Sequence, residues 1–286
     1  MAVDAKDVRF LREKTGAGIM DCKKALIESN GDFDRAVKYL REKGLAEAKK
    51  RSGREAREGK IEVVYSSDRD EVLMVEMNCE TDFVSRTDKY YNFVREVTET
   101  LLKRGTDSVT SIPEEVQNRV KEAGATFGEN IILRKLARFR KTDQQRSILG
   151  SYIHLDGKVG VIVEFIIDVE KPSQNEELGD FMKNVTLQIA SMGPVSVSRE
   201  DLPEELIEEQ REIFMKQARE SGKPEKILEK IISGRMEKFY SESCLLEQKY
   251  VKDTSITVGK YLKDVEAMIN GKVEVRRFAR FKLGEE

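Results

Sequence analysis

A phosphate-cradling loop needs two glycines separated by four residues and followed by Lys and then Ser or Thr, because backbone amides hold the phosphates and the hydroxyl holds magnesium. The nearest string runs from Gly53 to Gly59, Lys60 and Ile61, with five residues between the glycines and no hydroxyl after the lysine. It reads as a coincidence. His154 is the single histidine, so a Ser-His-Asp triad or a His-Cys zinc site would rest on one residue with no signature beside it. Cys22, Cys79 and Cys244 are widely spaced and form no CxxC pair, which suits reduced, buried thiols. The sequence contains no HExxH, GxSxG or GxGxxG, and its 53 Asp and Glu are too many to nominate a carboxylate pair. No catalytic residue, no metal ligand and no cofactor is expected, and the chain is not expected to be an enzyme.

Two strings remain that could grip another molecule. The turn Thr15-Gly16-Ala17-Gly18 leads into a helix whose first turn offers Ile19 and Met20. Met adapts to partner surfaces, but the same side chains would serve equally to close a small bundle. In Asn78-Cys79-Glu80-Thr81-Asp82-Phe83-Val84 an aromatic stands beside a carboxylate where a strand gives way to a helix. By itself that string fits a buried Phe with a capping Asp better than an exposed contact.

The elements that must hold these strings follow from periodicity. Val8 and Leu11 mark the inner face of a first helix, the glycine-rich turn breaks it, and a second helix stops at Asn30-Gly31. Asp32 can cap a third, with Phe33, Ala36, Val37 and Leu40 at helical spacing, and Gly44 is expected to close a three-helix domain over residues 1–45. Residues 46–58, where Lys49, Arg51, Arg54 and Arg57 alternate with acids, read as a solvated linker.

From residue 59 the pattern has period two. Ile61, Val63 and Tyr65 precede a turn, and Leu73, Val75, Met77 and Cys79 share one face of the next strand. A helix capped by Asp88 follows, then one opened by Pro113 and ended by Gly124, then a strand over 131–140. The plan recurs after Gly150, with a turn at Asp156-Gly157, an apolar strand, and a helix turning Leu178, Phe181, Val185, Ile189 and Met192 inward. The string from Arg134 to Arg140 (RKLARFR) reappears from Arg276 to Lys282 (RRFARFK), so two related α+β subdomains are implied, 59–141 and 142–286. Their ends lie 142 residues apart (134 and 276) while their opening hairpins lie 91 apart (59 and 150), so the second copy holds roughly fifty extra residues. Residues 202–241 supply them as a helical hairpin bent at Ser221-Gly222-Lys223-Pro224, with a thin seam of Leu206, Ile213, Ile227, Leu228, Ile231, Ile232 and Met236. The expected fold class is α+β.

At 286 residues the chain can build more than one core, and 51 Lys and Arg against 53 Asp and Glu leave a net charge of −2, without the basic bias of a non-specific nucleic-acid binder. A rival RNA-binding reading would rest on residues 49–57 and the paired strips Arg134/Arg138 and Arg276/Arg280; a rival adaptor reading would rest on the first helices. No apolar run is long enough for a membrane span and MAVDAKDVRF has no secretory pattern, so a soluble, cytoplasmic protein is expected.

TGAGIMDCKKAL near the start, NCETDFV, GENI, SGKP in the helical hairpin and VRRFARF near the end, taken together and in this order, resemble the bacterial translation elongation factor Ts family. The resemblance implies a ubiquitin-associated-like three-helix domain, a core of two related subdomains and a coiled-coil hairpin. It implies a guanine nucleotide exchange factor that binds elongation factor Tu, GDP-bound and nucleotide-free, with the nucleotide held by that partner only, no direct nucleic-acid contact and no membrane. It also implies that Thr81, Asp82, Phe83 and Val84 form the motif pushed in beside the partner's magnesium and phosphates, and that Leu11, Ile19, Met20, Lys23, His154 and Val251 are further partner contacts.

Overall fold

The computed structural model describes residues 3–169, 172–220 and 225–285. Three helices, α1 (Ala5–Thr15), α2 (Ile19–Glu28) and α3 (Phe33–Arg51), enclose a small core of Val8, Leu11, Cys22, Ala25, Leu26, Ala36 and Leu40. Gly16 ends α1 in the left-handed region at φ 69°, and the Asp32 carboxylate accepts from the Arg35 amide at 3.0 Å to start α3.

The third helix does not stop at Gly44. It runs through to Arg51, so the expected linker is helical in its first part and only the short stretch before β1 (Glu58–Tyr65) connects the helices to the core. Gly44 instead lets α3 lie close on α6 (Glu114–Phe127), where a Cβ at residue 44 would stand 3.2 Å from the Cβ of Ala125. Arg51 continues this packing by donating to the Gly124 carbonyl at 3.2 Å, and Gly124 is likewise internal: α6 ends three residues later, with Gly128 at φ 76° as its left-handed cap. Gly44→Leu is expected to force the crossing apart and destabilise the protein by about 1–3 kcal/mol. Thermal denaturation would read this, and an unchanged melt would show that the close approach contributes nothing.

Strands β1, β2 (Glu71–Cys79) and β3 (Ile132–Arg140) form one antiparallel sheet in the order β1-β2-β3. Leu73, Val75, Met77 and Cys79 point to the helices, meeting Tyr90, Val94, Val97 and Leu101 of α5 (Asp88–Lys103) and Val116 and Val120 of α6. The α5 cap is Thr87, whose hydroxyl accepts from the Tyr90 amide, and not Asp88. Between β2 and α5 lies the single turn α4 (Asp82–Ser85).

The second half repeats this with β4 (Ser147–His154), β5 (Val159–Asp168) and β8 (Lys272–Lys282) in the order β4-β5-β8, covered by α7 (Glu176–Met192) and α10 (Val258–Ile269). Leu178, Phe181, Val185 and Ile189 face this core as expected, but Met192 at the helix end is half exposed. The two sheets meet face to face through Ile61, Val72, Met74 and Phe139 of one and Leu149 and Ile162 of the other. Between α7 and α10 stand α8 (Glu204–Arg219), α9 (Glu225–Ser243) and the short pair β6 (Lys249–Tyr250) and β7 (Asp253–Thr257). Helices α8 and α9 line a shared groove through Ile207, Met215, Leu228, Ile232 and Met236, whereas Ile213 and Ile227 of the expected seam are exposed. The bend at 221–224 lies outside the described residues.

The repeated arginine strings now have a structural reason. Arg138 donates to the carbonyls of Leu101 and Leu102 at the C-terminal end of α5, and its counterpart Arg280 donates to the Ala190 carbonyl at the end of α7. Each satisfies orphan carbonyls and the negative end of the helix packed on its own sheet. Mixed helices and small antiparallel sheets make the protein α+β, as the sequence predicts.

Candidate functional site

Strand β2 leaves its sheet at Cys79, a buried thiol whose Sγ lies 3.2 Å from the Thr81 carbonyl oxygen. Burial, with the Glu129 carboxylate nearby, pushes this thiol up to about 12, so it stays protonated and is no nucleophile. The chain then turns through Glu80 and Thr81 into α4. On that turn Val84 packs against the core of the first sheet, while Phe83 is 84% exposed. Asp82 lies 2.8 Å from the guanidinium of Arg86, four residues on. The local expectation of a buried Phe with a capping Asp is therefore overturned. Thr81 occupies the cap position, Asp82 is the first helical residue, and the aromatic stands in solvent. A ring left in water forgoes roughly 1.5–3 kcal/mol of burial.

The turn is held from outside. The Glu129 carboxylate accepts the amides of Glu80 at 2.9 Å and Thr81 at 3.0 Å and also the Thr81 hydroxyl. In return the Glu80 carboxylate accepts the Asn130 amide at 2.6 Å. Asn130 further donates its side-chain amide to the Arg54 carbonyl at 2.8 Å, and Arg54 reaches Glu80 at 3.5 Å. The segment after α3, the Phe83 turn and the α6–β3 turn thus meet at one node. Residues 129 and 130 stood out in the sequence only as the family string GENI; a Glu directly after a left-handed Gly cap is the local signal that its side chain leaves the helix.

Two stretches converge on the start of α5. The α1–α2 turn lies against it, since a Cβ at Gly16 would stand 3.4 Å from the Nζ of Lys89. On the other side a groove is shared by Arg86, Thr87, Asp88 and Tyr91 with Ile153, Asp156 and Gly157 of the β4–β5 hairpin tip. That tip carries His154, exposed and stacked on Tyr152, whose hydroxyl lies 2.9 Å from its Nδ1. Ile19 and Met20, the latter 71% exposed, open α2 just after the turn, and Lys23 is exposed one turn further. Leu11 differs: it has no accessible surface and belongs to the three-helix core, so it presents nothing to a partner. Val251 is exposed, with its amide donating to Gln188 of α7 at 2.8 Å.

Among the described residues no cluster of His, Cys, Asp or Glu could hold a metal ion, and no helix is long and apolar enough to cross a membrane. The family model described as Elongation factor TS matches residues 80–285, beginning at the Glu80 of the braced turn. The chain belongs to this family. Elongation factor Ts of Halothermothrix orenii is 43% identical over 294 aligned residues, covering 100% of this chain and 93% of the relative. That of Symbiobacterium thermophilum is 43% identical over 283, covering 99% and 92%. That of Aquifex aeolicus is 41% identical over 298, covering 99% of each. Membership assigns the protein to the elongation stage of translation and to nucleotide exchange rather than to bond chemistry. The match spans the Phe83 turn, β3 of the first sheet, the whole second sheet and the helices inserted in the second half.

Proposed function

We propose that this protein is a guanine nucleotide exchange factor that binds elongation factor Tu in its GDP-bound and nucleotide-free forms and promotes GDP release from it. The observation that carries the reading is Phe83, a fully presented aromatic on a turn braced at both ends of its approach. Phe83 acts as a wedge beside the partner's nucleotide pocket. Asp82 brings a carboxylate to the magnesium and phosphate side, where the octahedral shell of the ion tolerates little distortion. Thr81 and Val84 anchor the pair. Ile19, Met20 and Lys23 of the three-helix unit, read as a ubiquitin-associated-like docking domain over residues 1–45, form a second contact, with His154 and Val251 as contacts from the second subdomain. Helices α8 and α9 form the coiled-coil hairpin of that subdomain. The site of action is the cytoplasm, where the nucleotide belongs to the partner and this chain carries no cofactor.

Such a factor obeys linkage: whatever factor it takes from GDP affinity, GDP takes from its own affinity for the partner. The test is release of a fluorescent GDP analogue from elongation factor Tu, chased with unlabelled GDP, as this protein is added in substoichiometric amounts. A saturable acceleration supports the proposal. Release at the intrinsic rate with a folded cognate partner would overturn it.

A further inference from the structure

We propose that Glu129 is a positioning residue for Phe83, setting the direction of the aromatic through the peptide groups of Glu80 and Thr81; this rests on the exchange reading above. A single helical turn of four residues does not hold itself, because its nucleation cost exceeds what one hydrogen bond returns. Something outside α4 must therefore fix where Phe83 points. Thr81 stands at the cap position, yet its side chain makes no cap bond and donates instead to Glu129. One carboxylate thus takes two successive amides and a hydroxyl from the two residues that enter the turn. Bonds from neutral donors to an ionised acceptor are among the stronger ones, and their geometry leaves the peptide planes of 80 and 81 little freedom.

Glu129 is itself placed by its own backbone. The preceding Gly128 holds the left-handed φ that ends α6, and a Cβ at Gly124 would stand only 3.0 Å from the Glu129 carbonyl oxygen. The reciprocal bond from the Asn130 amide to Glu80 closes a four-bond ring between the two turns. Phe83 lies two residues beyond that ring and is 84% exposed. Glu129 therefore does not meet the partner in this reading; it determines whether the wedge arrives aimed.

The test compares GDP release from elongation factor Tu, over a full concentration series, for the native chain, Glu129→Gln, Glu129→Ala, Phe83→Ala and the Glu129→Ala/Phe83→Ala pair. Glu129→Ala is expected to lower maximal exchange about tenfold, the scale of one charged hydrogen bond. Glu129→Gln, which keeps one acceptor oxygen, should fall between. In the Phe83→Ala background the loss of Glu129 should add less than about twofold, because no ring is left for it to aim. Amide exchange at Glu80 and Thr81 should quicken in Glu129→Ala while that of Val75 stays slow. Losses that multiply in the double variant would show that Glu129 acts through the fold, and normal exchange by Glu129→Ala with quickened amides would show that the brace is dispensable; either overturns the proposal. If Glu129→Ala does not fold, Glu129→Gln and its pair with Phe83→Ala decide on the same criterion. Should Phe83→Ala itself exchange normally, the wedge reading fails first and this proposal with it.

Discussion

Phe83→Ala is expected to slow GDP release from elongation factor Tu by at least about thirtyfold while leaving the melting temperature of the protein within about a degree of the native value. Aromatic anchors at interfaces carry 2 kcal/mol or more, and each 1.36 kcal/mol is about tenfold in rate. Stability should not follow, because an 84% exposed ring contributes almost no burial to the fold and a surface change of this kind stays near half a kcal/mol. Stopped-flow release and a thermal melt on the same preparation separate the two effects. A folded variant exchanging at the native rate would remove Phe83 from the mechanism and leave the three-helix contact as the working surface.

The second large effect concerns two buried glutamates that occupy equivalent places. Glu76 and Glu164 both lie on the middle strand of their sheet at a register shift, opposite Ile61 and Lys135 in one case and Leu149 and Arg277 in the other. Neither has accessible surface. Glu164 is satisfied: the Thr142 amide and hydroxyl, the Ser147 hydroxyl and the Arg277 Nε at 2.7 Å all donate to it. Burial alone would raise its pKa, but these donors outweigh burial and hold it below the usual carboxylate range. Glu76 is less well served, with only the Asn78 side chain, the Gly284 amide and the charges of Lys135 and Arg134 near it. Among the described residues none donates to its carboxylate in good geometry, the opposite Lys135 donates to the Glu285 carbonyl instead, and burial outweighs these neighbours and pushes its carboxyl up.

The two should therefore respond with opposite sign. A carboxyl whose folded pKa is lowered stabilises above its unfolded pKa and loses that contribution as pH falls through the folded value; one whose folded pKa is raised costs stability at neutral pH and is relieved as pH falls. Glu164→Ala should destabilise by about 3 kcal/mol at pH 7, less than a fully buried pair would lose because Arg277 keeps some access to solvent. Glu76→Gln should stabilise by about 1 kcal/mol at pH 7, the gain shrinking as pH falls through the raised pKa of the native residue. Denaturant melts at neutral and mildly acidic pH read both. A Glu76→Gln protein that melts lower than native at pH 7 would mean that the charge has a partner after all.

Much of this molecule was legible because hydrophobic period and repetition are one-dimensional signals. The inward faces of α5 and α7, the hairpin at Asp156-Gly157 and the placement of α8 and α9 all follow from spacing. The errors came from residues with two uses. Glycine ends helices and also lets helices touch; Gly44 and Gly124 do the second while Gly128 does the first, and nothing local separates them, since the choice depends on what packs against the helix. Phe83 was ambiguous for the same reason: an aromatic beside a turn is buried unless its neighbour Val84 takes the inward direction, which one turn of helix does not reveal. Leu11 matched a family contact position but also the inner face of α1, and in the structure the core has it. The role of Glu129 was out of reach, because its bonds run to residues 80 and 81 and only the pairing of β2 with β3 brings those stretches together.

The same pairing of sheets governs how the protein comes apart. Thr142, which donates to Glu164 of the second sheet, stands in the connection between the sheets two residues after β3, and Arg277 of the second sheet donates back to the Arg140 carbonyl of the first at 2.7 Å. Lys135 of the first sheet in turn holds the chain after β8. Hydrogen bonds thus run from each half of the core to the other. Two similar halves suggest two independently folding units, but here neither can open without exposing Ile61, Met74, Leu149 and Ile162, which are buried between the two sheets, so the two halves are expected to unfold as one cooperative unit.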